Sequence, residues 1–134
     1  MQLLENKTIR ALCWIDLMLV GPMAIPPIAY LIVTVFSHLD ETLGLVSPLS
    51  QITDIGYLFM SVTGILATVW SIARLKEPTR LNIMLDTGAR LAVAALLFWA
   101  WSQLGASMIF ALFLATEIVG AILQLAILRG APRP

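Results

Sequence analysis

Four side chains in this sequence join acid–base capacity to an apolar setting: Asp16, Asp86, Arg90 and Glu117. Each stands within a run of hydrophobic residues, and Glu117 lies near the middle of 106–128, ASMIFALFLATEIVGAILQLAIL. A charge at the centre of a bilayer costs about 2.5–3.5 kcal/mol on insertion scales, so such residues turn towards protein or water and mark functional sites. Asp86 and Arg90 are four apart with the acid first, the favourable order for a pair on one helix. Three acids on one base is an unbalanced set. Desolvation and like charge both disfavour ionisation, so at least one carboxyl, Glu117 first, is expected to keep its proton near neutral pH.

Glu117, Asp16 and Asp86 are therefore the candidate catalytic acids and bases, and Arg90 the group that holds a carboxylate or binds an anionic headgroup. Phe110, Phe113, Gly120 and Gln124 fall on the face of Glu117 at helical spacings. Aromatic rings, a small residue and an amide around an acid suit a hydrophobic ligand with one polar group. Phe110, Phe113 and Gln124 join Arg90 as candidate ligand-binding residues.

Other chemistries find no support. His38 is the sole histidine and Cys13 the sole cysteine, which leaves no zinc set and no intrachain disulfide. Arg90 amid the three acids argues against a hard cation, so no metal is expected. No glycine-rich phosphate loop or nucleophile elbow occurs, and no cofactor is expected. Eight basic residues balance eight acidic ones without a basic run, which speaks against nucleic acid as a partner.

The elements that must position these residues are membrane helices. Of the 134 residues 60% are hydrophobic and 12% charged, about half the charge of an ordinary soluble domain. A bilayer-spanning helix needs about 20 apolar residues. Hydropathy predicts a single all-α domain over 1–134, a four-transmembrane-helix bundle with spans near 11–36, 55–73, 81–101 and 106–128. A cleaved secretory signal ending near Ala24 competes for the first stretch, but the apolar run continues to Phe36.

GPMAIPP (21–27) interrupts the first span. Each proline lacks an N–H and frees the carbonyl four residues back, which predicts a kinked or broken helix shielded by protein. In the loop 37–53, Ser37 and Asp40 have the spacing of a capping box, and Gly44 ends a short interfacial helix. Along the second span Asp54, Tyr57, Ser61, Gly64, Thr68 and Ser71 form a polar or small stripe, read as a helix-packing seam. Asp54 is placed to cap that helix. RLKEPTR (74–80) reads as a positively charged loop, and Trp14, Trp70, Trp99 and Trp101 as interface anchors.

Charge sets orientation. Lys7, Arg10, Arg74, Lys76, Arg80, Arg129 and Arg133 fall at the termini or in the second loop, and the first and third loops have no basic residue. By the positive-inside rule both termini face the cytoplasm, probing to an inner or plasma membrane with an even number of spans.

With four short spans, Arg10 before the first helix, and Asp54 opening the second with Gly64 ten residues on, the chain resembles the DoxX-like group of small four-helix membrane proteins. GPMAIPP departs from the uninterrupted first helix of that group. The resemblance implies architecture rather than an activity.

Three functions follow in order. The first is binding or chemical processing of a hydrophobic small molecule or lipid at the buried acids. The second is a structural or assembly subunit whose buried pairs fix its docking in a larger membrane complex. The third is a small proton-coupled transporter, a homo-oligomer flexing at Pro22, Pro26 and Pro27. The partners expected in all three are the lipid bilayer, a hydrophobic ligand, and further copies or subunits.

Overall fold

Large apolar side chains face outwards along every long helix: Leu58, Phe59, Leu66 and Val69, then Leu96, Phe98 and Trp99, then Val119 and Ile122. A water-soluble chain of this size would hide such side chains, and a helix surrounded by lipid has no reason to. The computed structural model describes residues 7–45, 48–105 and 107–130, without the side chains at 48 and 50. Residues 1–6, the start of the last expected span at Ala106, and the tail with Arg133 lie outside the described residues.

The described chain is all-helical: α1 Lys7–Val20, α2 Pro26–Thr42, α3 Asp54–Lys76, α4 Arg80–Leu104 and α5 Met108–Gly130, with 3₁₀ turns at Gly21–Ala24 and Pro48–Gln51. Helices α3, α4 and α5 are each long and apolar enough to cross a membrane, and α1 with α2 make a fourth candidate if the bent pair is one span. This is an integral membrane protein.

The long helices begin and end on recognisable chemistry. Thr53 caps α3, its hydroxyl accepting from Gly56 N at 3.4 Å, while Asp54 sits in the first turn where the helix dipole favours an acid. The expected cap is thus one residue earlier. Thr79 does the same for α4, accepting from Asn82 N at 3.1 Å, and Asn82 Nδ2 donates to Glu77 O at 2.9 Å. Gly105, at φ +119°, takes the turn into α5 that a side chain would strain.

At the proline segment the chain forms two separate helices, α1 and α2, with a 3₁₀ turn between them. Lys7–Ala24, which includes the 3₁₀ turn, and Pro26–Thr42 meet at Ile25 with a bend of 105°. Pro26 and Pro27 fill the first two positions of α2, where an N–H would find no partner. The next donors, Ile28 N and Ala29 N, both reach Ile25 O, at 2.9 and 3.0 Å, and Ile25 N donates to Pro22 O at 3.2 Å. A helix starting this way leaves few backbone donors bare in an apolar medium. Beyond the break α2 runs through Thr42, so Ser37 and Asp40 lie inside a helix instead of capping one in a loop. Gly44, at φ +69°, follows the end of this long helix, and the separate short helix expected before it does not occur.

Two packing relations fix the ends. Ile9 and Cys13 of α1 pack with Ile83 of α4 against Leu75, Ile127 and Leu128. The start of α1 therefore lies where α3 ends, α4 begins and α5 ends. Asp40 of α2 accepts from Met108 N, the first residue of α5, at 2.7 Å. Together α1 and α2 lead from one end of the helices to the other.

The seam on α3 is real. Ser61, Gly64, Ser71 and Arg74 are its buried residues, and Gly64 lies so close to the broken segment that a β-carbon there would fall 2.3 Å from Ala24 N. Small residues permit that approach.

Candidate functional site

The stripe on α3 steps from Ser61 through Gly64, Thr68 and Ser71, and its next step is Arg74. The helix runs on to Lys76, so Arg74 is not in a loop but on the buried face, 3% exposed. This corrects the expectation for RLKEPTR. It also changes the electrostatics, since the three acids now meet two guanidinium groups.

The members come from four helices, with Arg74 on α3. Asp16 lies one turn beyond Cys13 on α1, Asp86 and Arg90 are consecutive turns of α4, and Glu117 and Gln124 lie on α5. Arg74 spans two acids: Nη2 donates to Asp16 Oδ2 at 2.7 Å and Nη1 to Asp86 Oδ2. Nη2 also lies 3.3 Å from Ser71 Oγ. Arg90 spans all three, with Nη2 to Asp16 Oδ2, Nε to Asp86 Oδ2 at 3.1 Å and Nη1 to Glu117 Oε2 at 3.1 Å. Such forks hold planar carboxylates in a geometry an ammonium cannot match.

Asp86 is the hub. Beyond the two arginines, its Oδ2 accepts from Gln124 Nε2 at 2.5 Å and its Oδ1 from Trp70 Nε1 at 2.8 Å. Gln124 is fixed in turn by Thr87, whose hydroxyl lies 2.9 Å from Oε1 and 2.7 Å from Ile83 O. Trp70 thus serves the cluster, with Arg74 Cζ 6.0 Å from its ring centroid, and is not a free interface anchor. Trp14, Trp99 and Trp101 do face outwards.

The structure brings Asp16, Asp86, Arg90, Glu117 and Gln124 together. It does not bring Phe110 and Phe113 to them: both pack against the apolar cluster of Met23, Val33, Leu49 and Ile109. Gly120 on the Glu117 face makes room for Arg90. Residues sequence reasoning missed are Arg74 and Trp70, and the helix-capping acid Asp40, which is fully buried. Among the described residues no group of three His, Cys, Asp or Glu side chains is arranged to hold a metal ion.

The hold on the three acids is unequal. Among the described residues Asp86 accepts from four side chains and Asp16 from two, whereas Glu117 has only Arg90 Nη1. Asp86, Arg74 and Arg90 are shut away, but Asp16 and Glu117 keep 16% and 17% of their side-chain surface open. Glu117 is thus the least tightly held acid of the cluster and Asp86 the most.

Comparison with protein-family models, curated proteins and solved structures finds no match to this chain. Function rests on geometry alone.

Proposed function

We propose that this is a four-crossing membrane protein that binds the polar end of a hydrophobic small molecule or lipid at the Glu117–Arg90–Asp16 edge of its charged cluster. The observation that carries the proposal is the single 3.1 Å bond by which Arg90 Nη1 holds Glu117, a largely buried acid with 17% of its side chain open. Were Glu117 to take a proton or swing away, that donor would pass to a ligand oxygen while Arg90 stayed fixed by Asp16 and Asp86. Glu117 then acts as the proton-exchanging group, Arg90 as the anion holder, and Asp16 as the second open acid.

The bent pair α1–α2 is taken as one broken span, because α1 starts at one end of the long helices and α2 finishes at the other. Lys7, Arg10, Lys76, Arg80 and Arg129 all belong to the first of these ends, and by the positive-inside rule this supports a cytoplasmic side for it, in a plasma or inner membrane. Asp54 opens α3, and Gly64 takes the closest backbone approach. These features keep DoxX-like architecture as part of the proposal.

Native mass spectrometry in mild detergent tests it. The purified protein should carry a bound amphiphile, and Glu117→Gln, which mimics the protonated carboxyl and loosens its hold on Arg90 Nη1, should raise its occupancy about tenfold while the fold survives. Equal occupancy in both proteins rejects the site.

A second reading, an assembly subunit, has one observation in its favour: all five charged side chains already have partners within the chain. Under it Glu117→Gln lowers thermal stability and leaves bound lipid unchanged.

A further inference from the structure

Away from the charged cluster, α2 and the start of α3 enclose a cavity of about 370 Å³ that opens to the surface. Its lining includes Tyr30, Ser37, His38 and Glu41 of α2 and Asp54 and Tyr57 of α3. Both tyrosines line it, their rings 5.6 Å apart and tilted by 43°. Glu41 pairs with His38 at 3.6 Å on the rim, and Asp54 lies in the first turn of α3.

The charge around this cavity is one-sided. No lysine or arginine occurs between Arg10 and Arg74, nor between Arg90 and Arg129. The cavity's end of the molecule therefore presents Glu41 and Asp54 with no lysine or arginine nearby in sequence among the described residues. Aromatic faces attract cations through the ring quadrupole, and carboxylates beside them add the opposite charge. His38, Glu41 and Asp54 line the cavity, but no three such side chains among the described residues are arranged to hold a metal ion together.

We infer that this cavity binds an organic ammonium group, seated against the Tyr30 and Tyr57 rings and neutralised by Glu41 and Asp54. The ammonium belongs to a soluble amine or to a lipid headgroup, and both have the same recognition chemistry. Its volume suits a group of trimethylammonium or ethanolammonium size together with part of its chain. The site is separate from the Glu117 edge and does not depend on what binds there.

The test uses the full chain in detergent and two probes of equal shape, choline and its uncharged carbon isostere 3,3-dimethylbutan-1-ol. Choline should raise the melting temperature in a saturable way at matched ionic strength, and the isostere should not. The Asp54→Asn and Glu41→Gln double variant should weaken choline at least tenfold; Tyr57→Phe should keep binding and Tyr57→Leu should lose it. Native mass spectrometry with phosphatidylethanolamine and phosphatidylglycerol separates the sources. Selective retention of the former, lost in the double variant, assigns a headgroup, and saturable choline binding without it assigns a soluble amine. Equal response to choline and its isostere, or choline binding unchanged in the double variant, overturns the inference.

Discussion

Gly120 of α5 lies against the guanidinium of Arg90, so closely that a β-carbon there would fall 2.8 Å from Nη1 and 3.0 Å from Cζ. The absence of a side chain at 120 is what allows α4 to send Arg90 across to α5. The contact explains how one arginine can serve acids from three helices without widening the packing between α4 and α5.

Gly120→Ala should therefore move Arg90 and lengthen its bond to Glu117. Overpacking of this kind costs about 1–3 kcal/mol. Gly88, two residues before Arg90 on the same helix as that arginine, has nothing within 4 Å of its would-be β-carbon. Gly88→Ala should be neutral or stabilising, by up to about 1 kcal/mol from helix propensity. Thermal unfolding of both variants in one detergent checks the contrast, and equal effects would refute it.

At Gly64 the obstruction is backbone, not a movable guanidinium. A β-carbon would meet Ala24 N at 2.3 Å and Met23 C at 2.7 Å. Gly64→Ala should be worse than Gly120→Ala, separating α3 from the broken segment. Loss of the folded, monodisperse species on size-exclusion chromatography is the expected result.

Arg74 carries two carboxylates at once, and removing one partner of a buried pair costs about 3–5 kcal/mol because the other charge is stranded. Arg74→Met should show that loss, and Arg74→Lys an intermediate one, since an ammonium cannot fork between Asp16 and Asp86. Adding Asp16→Asn to Arg74→Met removes one stranded acid and should recover part of the stability. A double-mutant cycle measures it: strictly additive effects would mean that the two do not act as a pair.

Why Arg74 escaped sequence reasoning is instructive. The hydropathy of α3 fades near Ala73, and a basic residue followed by Lys76 and Arg80 has the pattern of a cytoplasmic loop. Hydropathy measures an average around the helix, whereas the polar stripe concerns one face, and that face carries on to Arg74. The intramembrane acids were legible because nothing but a counter-ion makes them tolerable, and helical spacing placed Asp86, Arg90, Glu117 and Gln124 correctly. Phe110 and Phe113 shared the angular position of Glu117 but not its depth, and so joined the apolar cluster nearer the other end. Asp40 was read as a local cap because a tertiary cap, bonded to Met108 N from another helix, leaves no local spacing to detect.

Asp40 offers its own test. The cap from α2 onto α5 has an acceptor but needs no charge, so Asp40→Asn should keep α5 anchored while Asp40→Ala costs about 0.5–2 kcal/mol. Hydrogen exchange at the first turn of α5 should speed up in the alanine variant and stay slow in the asparagine one.

The prolines give the sharpest sign. At the start of a helix in water, replacing Pro26 or Pro27 by alanine changes little, because the new N–H is hydrated and proline at the first position is only mildly preferred. Here both prolines are exposed on the outer side of a break that packs against Gly64, near the middle of α3. With Ile28 N and Ala29 N already drawing on Ile25 O, a new donor at 26 or 27 has no obvious acceptor. In hydrocarbon a bare donor costs about 1–3 kcal/mol. Pro26→Ala and Pro27→Ala should each destabilise the protein by that order, despite the better helix propensity of alanine. If both variants melt with the parent protein, the break is hydrated, and α2 lies at the membrane surface instead of completing a broken span.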